Sequence, residues 1–223
     1  MADAAAADKN PRKSANEVLE ALRTKIVYGG LAPDTRINID AIARELEVSA
    51  TPVRDALQRL EPENLVVYAP GRGYATAPLL DMAGLRALYD FRLLVEPWAA
   101  RTVAGDALSN PAPSLFVEVD RLAELASREP VATLELVRHD QRFHDLVVAA
   151  TGNTFATDAY RHTNCHMHVY RLYGDRVSPN ATLAEHREIA DAMAAKDGAR
   201  ASEAMITHIT NSFRRYVAST TPH

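Results

Sequence analysis

The sequence predicts a mainly α-helical protein in two parts, a winged helix-turn-helix followed by an all-α antiparallel bundle. Three observations carry the prediction. Apolar residues recur at helical spacing through most of the chain. The only strand signal is a pair of short runs around a turn rich in Pro and Gly, Leu65-Val66-Val67-Tyr68 and Tyr74-Ala75-Thr76-Ala77. Beyond Pro78 the strand signals stop and six further helical segments follow. At 223 residues and 47% hydrophobic composition the chain can bury a sizeable core in each part.

In the first part, Val18, Leu19, Leu22 and Ile26 mark one helix face, and Gly29-Gly30 stops it. After Pro33 and Asp34, a short helix over Asp40 to Leu46 presents Ile39, Ile42, Ala43 and Leu46 to one side. Ser49 is a good N-cap for a third helix, which accepts Pro52 in its first turn and turns Val53, Ala56, Leu57 and Leu60 inward. Pro62 and Asn64 end it. Three helices and a hairpin whose turn holds Pro70, Gly71 and Gly73 describe a winged helix-turn-helix, with the third helix placed to enter a major groove.

In the second part, helical periodicity runs over 80–106, 112–128, 131–151, 154–175, 179–195 and 197–218. The breaks fall at Gly105 with Asn110-Pro111, Pro130, Gly152-Asn153, Gly174 with Pro179, and Asp197-Gly198. Short breaks suit a compact antiparallel bundle. The expected organisation is a disordered tail over 1–12, a DNA-binding domain over 13–78 and a helical domain over 79–223. The Ala-rich opening lacks the basic and long apolar regions of a signal peptide.

Charge and composition narrow the function. Lys and Arg number 25 against 29 Asp and Glu, a formal net charge of −4, so any contact with nucleic acid must come from a local patch. Residues 1–79 carry 10 basic and 11 acidic side chains, which argues against strong non-specific DNA binding and for a few specific contacts. The single cysteine, Cys165, closes no internal disulfide and removes Cys-rich zinc folds from consideration. The longest aliphatic run, Leu146 to Ala150, is far short of the roughly 20 residues of a membrane span. A cytoplasmic protein without a membrane partner is expected.

On the third helix, Arg54 and Arg59 point outward, where guanidinium pairs with guanine edges or phosphate. Ser49 and Thr51 lie at the positive end that favours phosphate. Gly73 lets a wing backbone approach a groove, beside Arg72 at the tip. The stretch Ser49-Ala50-Thr51-Pro52-Val53-Arg54-Asp55-Ala56-Leu57-Gln58-Arg59-Leu60, with Leu31-Ala32-Pro33 before the second helix and Gly71-Arg72-Gly73 at the wing, resembles the DNA-binding head of the GntR superfamily of bacterial regulators. Three positions depart from that pattern: Ala50 stands where relatives carry Arg, Glu47 where the turn has Gly, and Asn64 where a Gly ends the helix.

In the bundle, Asp140 and His144 are four residues apart, one turn along one helix face, which is chelate spacing. His186 and His208 lie on the fifth and sixth segments. Three imidazoles and a carboxylate suit a borderline divalent ion, zinc first and nickel or manganese as alternatives, with positions left for water or a ligand oxygen. The order His139-Asp140-Gln141-Arg142-Phe143-His144, Ala150-Thr151-Gly152-Asn153, Glu185-His186-Arg187 and His208 resembles the FCD effector domain of the FadR subfamily of GntR regulators. The six-segment count resembles its shorter, VanR-like form. The resemblance implies that Asp140, His144, His186 and His208 together hold a metal at the base of a ligand cavity. Phe91-Arg92-Leu93-Leu94-Val95-Glu96-Pro97 matches the family's Arg-x3-Glu pattern. There Arg92 either clamps an effector carboxylate or forms an i,i+4 salt bridge with Glu96. His166 and His168 are read as polar or core residues, and His139 and His162 are left without a role.

The leading expectation is a metabolite-responsive transcriptional regulator, a repressor in the usual logic of the family. It would bind operator DNA as a homodimer and a small carboxylate at its metal. Two other readings compete: a metal-dependent hydrolase or decarboxylase using the same four residues, and a ligand-independent DNA binder with a structural metal. The enzyme reading has no spare base clearly placed beside the four ligands.

Overall fold

The computed structural model describes residues 13–128, 133–173 and 179–220; the expected tail and the breaks at Pro130 and Gly174 lie outside the described residues. The chain divides into two compact units between Pro78 and Leu79.

The first unit opens with α1 (Ala15–Val27). A capping box starts it: the Ser14 hydroxyl accepts from the Glu17 N–H and Glu17 accepts from the Ser14 N–H. Gly29, at φ +75°, turns the chain out of the helix. Helices α2 (Ile39–Leu46) and α3 (Ala50–Leu60) follow, α2 capped by the Asn38 side chain on the Ala41 N–H. The residue that joins them is Glu47, held in the left-handed region at φ 59°. A side chain there costs roughly 1–2 kcal/mol, so the missing turn Gly is carried as strain. Asn64, at φ 57°, fills the other vacated Gly position with the residue that best tolerates it. Val18, Leu22, Val53, Leu57, Leu60 and Leu65 are fully buried and join α1 to α3. Strands β1 (Val66–Ala69) and β2 (Gly73–Thr76) pair antiparallel, Val66 opposite Thr76 and Ala69 opposite Gly73. Tyr68 and Tyr74 pack across the pair at 5.0 Å. The wing is anchored by the Thr76 hydroxyl, which donates to the Ala32 carbonyl at 2.5 Å.

The second unit contains α4 (Met82–Ala104), α5 (Ala112–Arg128), α6 (Thr133–Ala149), α7 (Thr154–Thr163), α8 (Cys165–Tyr173), α9 (Pro179–Ala194) and α10 (Gly198–Thr220). Helix α10 packs along α4 and α9, α5 along α9 and α6, and α6 against α4. Phe143, Val147, Ile189, Met193, Met205 and Ile209, all fully buried, form the centre of their shared core.

One expectation is corrected. The bundle of six segments is one of seven helices among the described residues, because the segment expected over 154–175 breaks at Asn164, which adopts φ 45° and caps α7. Its periodic apolar pattern continues across the break, so only the tolerance of Asn for left-handed backbone could have signalled it.

Candidate metal centre and DNA-binding face

Asp140 and His144 project from adjacent turns of α6, His186 from α9 and His208 from α10. One ligand atom from each of the four lies within 4.8 Å of all the others. Donors on a common ion with bonds of about 2.1 Å stand roughly 3–4.2 Å apart, so the cluster closes on an ion with a shift of under about 1 Å.

Each imidazole is oriented from behind. His144 Nδ1 faces Glu96 Oε2 at 2.5 Å, His208 Nδ1 faces Glu185 Oε2 at 2.9 Å, and His186 Nδ1 faces His139 Nε2 at 2.8 Å. Where Nδ1 of His144 and of His208 carries the proton toward its carboxylate, the Nε2 atoms of these two rings, 3.2 Å apart, confront each other as lone pairs. Two lone pairs at that separation repel, and a cation between them removes the conflict. Buried Asp140 Oδ1 and His186 Nε2 are likewise without hydrogen-bond partners, 3.5 Å from each other. A buried acceptor and a buried ring nitrogen left bare are costly unless something fills the space between them. These observations fit a divalent ion.

The protonation states match that use. Burial pushes the His144 imidazole down to about 3 against the pull of Glu96. Burial, with His208 alongside, holds His186 well below its ordinary value. Burial opposes the Asp140 charge, but His166, His186 and His144 hold its carboxyl well below the usual carboxylate range. At neutral pH the site therefore offers neutral His144 and His186 with an ionised Asp140, the forms that ligate. Glu185 is drawn down to about 2: burial raises it, and His208 and Arg215 outweigh that.

Arg92 takes the second of its two expected arrangements. It is 1% exposed and its Nε donates to Glu96 Oε1 at 2.6 Å, with Nη2 3.4 Å from Oε2. Glu96 in turn accepts from the Tyr160 hydroxyl at 3.1 Å and faces His144. Arg92 thereby neutralises the carboxylate that orients a ligand.

Four orienting groups, Glu96, Glu185, His139 and His166, escape sequence reasoning as members of the site. The signal for two was present: Glu185 adjoins His186, and His139 adjoins Asp140. A residue beside a ligand points elsewhere on its own helix, so only the packing of neighbouring helices brings it back behind a ring.

In the first unit, α3 buries Val53, Ala56, Leu57 and Leu60 and leaves Thr51, Arg54, Asp55, Gln58 and Arg59 exposed. Ser49 is its N-cap, and its hydroxyl makes no capping hydrogen bond, so the first-turn N–H groups of α3 are left to another acceptor. Arg59 Nη1 donates to Asn16 Oδ1 at 3.0 Å, which ties it back to α1, whereas Arg54 carries no such tether. Arg72 is exposed in the wing turn between Gly71 and Gly73, both at positive φ (76° and 79°). Gln58, one turn beyond Arg54 on the exposed side, joins the residues that sequence reasoning named.

Comparisons with known proteins identify a domain in each of the two units. The model of the FCD domain matches residues 87–211, and that of the bacterial regulatory proteins of the gntR family matches residues 14–75. The chain is 25% identical over 192 residues to the HTH-type transcriptional regulator YdhC of Bacillus subtilis, covering 85% of each chain. It is also 25% identical to the HTH-type transcriptional repressor RspR of Escherichia coli, over 90% of this chain and 88% of that one. Among solved structures, E. coli McbR/YncC superposes with a TM-score of 0.74 at 16% identity, over 93% of this chain and 98% of that one. A GntR regulator from Rhodococcus sp. RHA1 gives 0.72 at 20%, over 93% and 99%.

Proposed function

The chain belongs to the GntR family of bacterial regulatory proteins and carries an FCD domain, and from that membership we propose that it is a metal-dependent repressor released by a small carboxylate. It is a transcriptional regulator, as its named relatives are, and no helix among the described residues is long and apolar enough to cross a membrane. The convergence of Asp140, His144, His186 and His208, with the Nε2 atoms of His144 and His208 facing each other and buried Asp140 Oδ1 and His186 Nε2 without hydrogen-bond partners, carries the metal reading. Zinc fits the donor set best, with nickel and manganese next. When bound, the ion supplies a Lewis-acid anchor with open positions for a carboxylate. Glu96 takes the Nε–Nη2 edge of Arg92, and the Nη1 donor is the one this reading gives to the carboxylate.

On DNA, Ser49 and Thr51 take phosphate at the α3 N-terminus, Arg54 reads a base edge, Arg59 lies close to the backbone, and Arg72 with Gly73 brings the wing to the adjacent groove. A head with so few contacts and no net basic charge needs a second copy on a second half-site, which makes the working species a homodimer. The dimer works in the cytoplasm, where the DNA is. Binding to a randomised duplex library, repeated with a panel of di- and tricarboxylates, tests this reading. The account expects an inverted-repeat site and its loss with one acid. Equal binding to every sequence would refute the DNA assignment, and a site that no acid releases would refute the effector assignment.

A further inference from the structure

His166 lies on α8, outside the four candidate ligands, and is 5% exposed. Its Nδ1 is 3.3 Å from Asp140 Oδ2, and its Nε2 is 2.9 Å from the Tyr160 hydroxyl. The same Tyr160 hydroxyl donates to Glu96 Oε1, and Glu96 faces His144 Nδ1. The chain Asp140, His166, Tyr160, Glu96, His144 therefore begins and ends on a candidate ligand and runs through α6, α8, α7 and α4. Its ring stacks on His144 with centroids 4.8 Å apart, which fixes the plane from which Nδ1 reaches the carboxylate.

The two Asp140 oxygens are unequal as a result. Oδ2 is taken by His166, and Oδ1 is the buried atom without a partner that faces His186 Nε2. A carboxylate held at one oxygen by a donor ligates a metal through the other alone, whereas a free carboxylate can close on the ion with both. The difference matters for the site's use. On an ion that takes six donors, three imidazoles and a one-oxygen Asp140 would leave two positions open, and a two-oxygen Asp140 would leave one. A ligand that binds through two oxygens needs both.

We propose that His166 is a positioning residue that holds Asp140 to single-oxygen ligation and thereby keeps a further metal position free for an effector that chelates through two oxygens. The inference rests on the metal reading above. Asn at 166 keeps a donor near the Nδ1 position, Gln places its donor nearer Nε2 and Tyr160, and Leu keeps neither. The test uses cobalt(II) as the metal and oxalate as a two-oxygen probe, with the full-length parent and the variants His166→Asn, His166→Gln and His166→Leu. Cobalt affinity is read by competition titration, coordination by the visible absorption spectrum, and oxalate affinity by its spectral shift. The expected result is parent-like spectrum and oxalate binding in His166→Asn. In His166→Gln and His166→Leu the spectrum changes and oxalate binding falls, with cobalt affinity reduced by roughly 10–100-fold. Should His166→Leu fail to fold, the contrast between Asn and Gln decides. Gln and Leu variants with the parent's spectrum and oxalate affinity overturn the role of His166, as does an Asn variant that behaves like Gln. A parent protein that takes up no cobalt overturns the metal reading itself.

Discussion

Replacing Arg92 by Ala removes one half of an ion pair whose two side chains are 1% and 0% exposed. Glu96 would keep its neighbours His144 and Tyr160 but lose the guanidinium paired with it, so burial then works against its charge with only those two neighbours to offset it. Breaking a buried pair from one side costs about 3–5 kcal/mol, because the remaining charge is left uncompensated. For a cooperative unit of the size of residues 79–223, each kcal/mol lowers the melting temperature by roughly 2–4 °C, so a drop of about 6–20 °C is expected. Removing both charges together should cost less, since no buried charge is left without its counter-charge. Arg92→Met with Glu96→Gln serves, the Gln carbonyl still accepting from Tyr160. Thermal unfolding followed by circular dichroism on the parent, Arg92→Met, Glu96→Gln and the double closes the cycle, with a coupling of at least about 2 kcal/mol expected. An Arg92→Ala protein that melts with the parent, or single effects that simply add, would refute the claim that the pair holds this part of the core.

Three further outcomes follow from the geometry. Arg54→Ala should leave melting unchanged and weaken operator binding by about 1–3 kcal/mol per base contact with relaxed preference at one position, while Arg59→Ala, tethered to Asn16, should weaken binding evenly across sequences; a filter-binding assay over a site library checks both. Glu47→Gly should raise the melting temperature of the DNA-binding unit by relieving about 1 kcal/mol of left-handed strain, measured by calorimetry. Glu185→Ala should reduce metal affinity about 10–100-fold in a competition titration, because it frees the Nδ1 side of His208 and releases Arg215.

Helical periodicity made most of the architecture legible before any coordinates, since burial on one face of a helix leaves a pattern that local sequence carries. The hairpin was legible from turn chemistry instead, from Gly71 and Gly73 between two short strand runs. Asn164 was not, because a single left-handed residue interrupts the backbone without interrupting the apolar stripe. The candidate ligands were legible only in part. Asp140 and His144 share a helix face, which spacing states directly, but the arrival of His186 and His208 from α9 and α10 depends on packing. The orienting groups lie a further step away. Glu96 reaches His144, and His166 reaches Asp140, across helix interfaces that no periodicity encodes. Arg92 shows the limit from the other side: one spacing permits two partners, and only the burial of Glu96 decides between them for the Nε edge.

The most direct test of the account is the metal content of the purified protein, measured by elemental analysis after equilibrium dialysis against zinc, nickel and manganese together, beside the variant His186→Ala. His186 is chosen because it is fully buried and its Nε2 has no hydrogen-bond partner, so its loss removes a donor without breaking a hydrogen bond at that nitrogen. The account predicts about one divalent ion per chain in the parent and a large loss of it in the variant. A parent that retains none of the three metals, or a variant that retains as much as the parent, would contradict it.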